Sequence, residues 1–120
     1  IGVVMEKILN VKEGKYQVEV WLNELDREDT GLNVKMIGDE MIYDISFGYV
    51  SGFFEKKIRS NIEPGVYLYN KNNRFLEIMK EWIKAIYDEN QKQYIVVGEK
   101  TCLLVLSNWE VEMKSFIVKK

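Results

Sequence analysis

Seven carboxylates crowd residues 24–44: Glu24, Asp26, Glu28, Asp29, Asp39, Glu40 and Asp44. Arg27 and Lys35 are the only bases among them, so this stretch carries −5 in a chain of formal charge −2. Carboxylates at this density serve three chemistries: calcium binding, acid–base catalysis and docking on a basic partner.

Calcium fits poorly. Asp26 to Gly31 offers side-chain oxygens at alternate positions and glycine at the sixth, as an EF-hand loop begins. The twelfth position, where a bidentate Glu belongs, is Ile37, and no flanking helices are expected. Zinc lacks donors, because the chain has no histidine and one cysteine, Cys102. We expect no metal and no cofactor.

Catalysis lacks a candidate. Without histidine the commonest general acid/base and the usual partner of a Ser or Cys nucleophile are missing. Cys102 lies in the apolar run Thr-Cys-Leu-Leu-Val-Leu and is expected to be buried and inert. Gly48-Tyr-Val-Ser-Gly52 has no Lys-Ser/Thr after it, so Gly48 and Gly52 read as a bulge or strand end rather than a phosphate loop. A histidine-free enzyme working with Asp, Glu and Tyr is the alternative, since 19 acids and seven tyrosines are present.

Docking needs none of the missing groups. Trp21, Met36, Met41, Tyr43 and Tyr49 lie near the acids in sequence, and apolar anchors rimmed by charge make a partner surface. The sequence reading therefore assigns partner binding to Trp21, Glu24, Asp26, Glu28, Asp29, Asp39, Glu40 and Asp44. The pI of about 5.3 argues against nucleic acid, and Lys56-Lys57-Ile58-Arg59 is the only compact basic cluster.

The elements that position these residues follow from periodicity. Residues 3–11 and 16–22 read as a hairpin about Glu13-Gly14, and 24–31 as a polar loop. A second hairpin joins 33–37 to 41–50 through Gly38-Asp39, with Met41, Tyr43, Ile45, Phe47 and Tyr49 on one face. Residues 53–60 fit either a strand or a helix, and 66–69 a short strand. An amphipathic helix is expected from about 73 to 92, capped by Asn72 or Asn73, with Phe75, Trp82, Ile83 and Ile86 on its apolar stripe. Strands at 94–97, 101–106 and 110–118 close the chain, with turns at Gly98 and Ser107-Asn108 whose shortness predicts that neighbours pair as hairpins. These elements predict one α+β domain spanning 1–120: a mostly antiparallel sheet with the helix packed on one face.

Composition fits a single globular domain, with 47% hydrophobic and 30% charged residues. No run approaches the ~20 apolar residues of a bilayer span, and no signal peptide is visible. The expectation is a cytoplasmic, bacterial, non-enzymatic protein that occludes a basic partner. Immunity proteins of nuclease toxins are of this kind: small, acidic and free of catalytic motifs. Two alternatives are a small-molecule binder, with Tyr43, Phe47 and Tyr49 lining a pocket against the helix, and a homodimer paired through an exposed sheet edge.

Overall fold

The computed structural model describes residues 5–24, 30–50, 52–57, 62–69, 92–107 and 111–118. Nine strands run through them: β1 (Met5–Asn10), β2 (Gln17–Glu24), β3 (Thr30–Ile37), β4 (Met41–Tyr49), β5 (Gly52–Lys56), β6 (Gly65–Tyr69), β7 (Lys92–Val97), β8 (Cys102–Ser107) and β9 (Glu112–Ile117). They form two antiparallel sheets. Sheet A has the order β1-β6-β7-β8-β5, and sheet B the order β2-β3-β4-β9.

This overturns the α+β expectation. The described residues are all-β and contain no helix. The expected helix falls on residues that lie outside the described ones, except Lys92, which begins β7. The physical reason lies in β4. Its apolar face does not await a helix, because sheet A covers it.

Alternation explains that core. Leu32, Val34 and Met36 of β3 and Tyr43, Ile45 and Phe47 of β4 point inward from sheet B, and all are buried. They meet Val66, Tyr94, Val96, Leu103 and Val105 of sheet A in one cluster. The Phe47 and Tyr94 rings lie 5.5 Å apart across the two layers. Ser107 donates from Oγ to the Phe47 carbonyl at 3.2 Å, which satisfies a buried hydroxyl where the sheets meet.

A bulge shapes this contact. The β3–β4 register shifts between Leu32 and Asn33, so Leu32 faces Gly48 while Asn33 faces Ser46. Gly48 has φ 65, a left-handed conformation that a side chain disfavours. The expected bulge at Gly48 is therefore present.

Two pairings differ from the sequence reading. The 3–11 segment is a strand, but β1 pairs with β6 in sheet A while β2 pairs with β3 in sheet B. The chain changes layers at 11–16 instead of closing a hairpin. The last strand, β9, returns to β4 rather than pairing with β8. The β3–β4 and β7–β8 hairpins form as expected.

Candidate functional site

Sheet B separates the acidic band. The flanks of the 24–31 loop, Glu24 and Thr30, pair at one end of the β2–β3 ladder. The Gly38-Asp39 turn lies at the other end. The eight residues of β3 hold the two about 24 Å apart, at ~3.4 Å per residue. Asp39 and Glu40 therefore do not converge with Glu24. Asp26, Glu28 and Asp29 lie outside the described residues.

Asp44 belongs to neither end. On the outward face of sheet B it stands in register with Lys35 on β3 and Lys114 on β9, and Lys35 faces Glu19 on β2. Glu19, Lys35, Asp44 and Lys114 thus alternate in sign across all four strands. Opposite charges at facing positions favour the sheet, and they leave Asp44 without a surplus of negative charge.

The Asp39–Glu40 end is built around two tyrosines. Tyr16 and Tyr43 meet edge to face with centroids 5.8 Å apart. Tyr16 donates from Oη to the Lys12 carbonyl at 2.5 Å, and the Lys12 amide donates to Tyr43 Oη at 2.8 Å. The Lys12 ammonium is paired with the Glu40 carboxylate. Glu40 in turn accepts at its carbonyl from the Val118 amide at 2.9 Å. Gly38 is required beneath this cluster, since a Cβ there would lie 2.7 Å from the Tyr16 ring.

The charges here are held in their resting states. Burial, followed by the neighbouring Tyr43 and Glu40, pushes the Tyr16 phenol up to about 12. The hydrogen bond and charge of Glu40 raise the Lys12 ammonium above its ordinary value. A neutral phenol whose proton is already committed to a carbonyl is no general base near pH 7. A lysine held charged is no nucleophile. The open concavity beside them, about 200 Å³, is lined by Lys12, Lys15, Glu13, Asp39 and Glu40 among others, so its charge is mixed.

The other end presents apolar surface. Trp21 is 52% exposed and Leu22 is 58% exposed. Both lie on β2, an edge of sheet B with a partner strand on one side only among the described residues. Lys35 Nζ sits 5.7 Å from the Trp21 ring centroid, a cation–π contact that orients the indole while leaving it half open. The sequence reading singled out Trp21 and not Leu22. Its exposure depends on β2 being an edge, which no local pattern announces.

Several other groups fall outside any site. Tyr43 and Phe47, the face expected to line a small-molecule pocket, are buried between the sheets. Cys102 is half-buried rather than fully buried, and burial pushes its thiol up. Among the described residues no three His, Cys, Asp or Glu side chains group to hold a metal. Among them, too, no helix is long and apolar enough to cross a membrane. No family model, curated protein or solved structure matches the chain.

Proposed function

We propose that the protein is a non-enzymatic binding module that works in the cytoplasm by covering a basic macromolecular partner, such as a nuclease toxin. The observation that carries this reading is the exposed Trp21–Leu22 pair on the edge strand β2. A half-open indole at a sheet edge is the kind of anchor that contributes most of the affinity in protein interfaces, and Leu22 adds apolar area beside it. Acids cluster beside them in the chain: Glu24 ends the strand, and Asp26, Glu28 and Asp29 follow directly. The mechanism is occlusion. Trp21, on the outward face of the strand, seats in an apolar dent of the partner, which wraps the edge to cover Leu22 on the other face; the carboxylates meet its Lys and Arg side chains and speed encounter.

The proposed surface is narrower than the eight residues of the sequence reading. Trp21, Glu24, Asp26, Glu28 and Asp29 remain in it. Asp39 and Glu40 stand at the far end, where Lys12 holds Glu40. Asp44 stands between two lysines on the outward face of sheet B.

Affinity capture of basic proteins at stepped salt tests this. Trp21→Ala with Glu24→Lys should weaken capture of the retained partner by roughly 30-fold or more, the size of one interface hot spot. Asp39→Lys should leave it unchanged. Equal losses in both variants would show that the two ends act together, and no loss in the first would remove β2 from the interface.

A further inference from the structure

The opposite edge of sheet B has its own exposed apolar residues. Ile117 on β9 is 77% exposed and Phe116 is 52% exposed, the former more than any other large hydrophobic among the described residues. They lie on consecutive, opposite faces of the strand. A ligand seated on one face would cover one of them and leave the other in water. Extending the sheet covers both, because a neighbouring strand flanks each face.

The backbone of β9 is poised for this. The Val118 amide donates to the Glu40 carbonyl, which fixes the hydrogen-bonding phase of the β4–β9 ladder. With Met41 facing Ile117 and Asp44 facing Lys114, the amides and carbonyls of Glu112, Lys114 and Phe116 turn toward β4. Those of Met113, Ser115 and Ile117 turn away from the sheet.

We propose that β9 pairs antiparallel with β9 of a second copy about a two-fold axis through Ser115, joining two four-stranded sheets into one of eight strands. The side chains choose this register. Met113 faces Ile117 of the second copy on the inner side, an apolar pair. Lys114 faces Phe116 on the outer side, laying its methylene stem on the ring with the ammonium in water. Glu112 faces Val118, and no like charges are opposed. An axis at Lys114 would place that lysine against itself. An axis at Met113 would leave Phe116 and Ile117 beyond the described strand.

Seven ladder residues on each side bury less than the ~1,200 Å² of a standard interface, so association is concentration-dependent, with Kd on the order of 1–100 μM. Sedimentation equilibrium across that range should show a monomer–dimer transition. Ile117→Lys should raise Kd by about tenfold or more, by placing a charge opposite Met113. Ser115→Pro should do the same at unchanged thermal stability, because the Ser115 amide serves no bond among the described residues. Trp21→Ala should leave Kd unchanged. In a Cys102→Ser background, Ser115→Cys should oxidise to a covalent dimer, since facing Cα atoms about 5.5 Å apart suit a disulfide. A monomer at every concentration overturns the proposal. So does a dimer that tolerates Ile117→Lys but not Trp21→Ala, or preferential cross-linking by Lys114→Cys.

Discussion

Sheet A and sheet B treat water differently. Sheet A is buried on its inner side at Val66, Val96, Leu103 and Val105, and on its other side at Tyr67, Val97 and Leu106. Sheet B buries one face and turns a row of alternating charge outward. The chain carries the same contrast as pattern. β7 and β8 are nearly continuous apolar runs, Tyr-Ile-Val-Val and Cys-Leu-Leu-Val-Leu, whereas β4 alternates. The difference separates two duties. The central strands of sheet A form the buried layer, and among the described residues the outward face and two edges of sheet B are left uncovered.

The contrast can be broken most forcefully where the sheets meet. Phe47 is fully buried against Tyr94, so Phe47→Ala should cost about 3–5 kcal/mol in urea unfolding. A loss under ~1 kcal/mol would mean that this ring does not join the layers.

Leu106→Ala and Ser46→Ala test the two far faces directly. Leu106 is fully buried on the side of sheet A away from sheet B, and its truncation should cost about 2–5 kcal/mol. Ser46 lies on the outward face of sheet B, and its change should stay within ~0.5 kcal/mol. Similar values from the two variants would erase the distinction between the sheets.

The sequence carried much of this contrast and little of the topology. Alternation at 41–47 announced the β4 face, Gly38-Asp39 announced its hairpin, and the lack of a branched side chain at Gly48 announced the bulge. All are local signals. The 11–16 crossover between layers and the return of β9 to β4 are not local. Neighbouring strands usually pair, so Glu13-Gly14 read as a hairpin turn. What decides otherwise is the joint burial of Tyr16 and Tyr43, 27 positions apart in the chain. The acidic band misled for a related reason. Residues close in sequence were pooled as one surface, but a single strand between two turns sends the turns to opposite ends. Trp21 was singled out by its type alone, and its exposure at the open β2 edge was not legible.

The tyrosine cluster distinguishes the two ends of sheet B through alkaline pH. An unfolded tyrosine ionises near 10, while Tyr16 in the fold does so at about 12. Its neutral form is therefore favoured by folding. That contribution is complete below pH 10 and is lost as pH rises from about 10 to 12, to a total of roughly 1–3 kcal/mol. Comparing denaturation of the native chain and Tyr16→Phe at pH 9 and 11.5 isolates it from the other tyrosines. The native chain should lose more stability over this interval. Equal losses would show that the Tyr16 phenol is no harder to ionise in the fold than out of it.

The smallest effect concerns the outward face of sheet B. Asp44→Lys would place three lysines in a row, Lys35 and Lys114 on either side, where the native order alternates. Each like-charge pair at facing positions costs about 0.2–1 kcal/mol, so a loss near 1 kcal/mol is expected at low salt. Adding Lys114→Asp restores one opposite pair and should recover about half of it. The double-mutant cycle measures that coupling without assuming what each single change does alone. At 1 M salt the screening length falls to ~3 Å, and both the loss and the recovery should fade. A loss that persists in salt would come from packing of the longer side chain. The outward row would then be a set of independent solvated groups, and Asp44 would regain its place among the acids free to meet a basic partner.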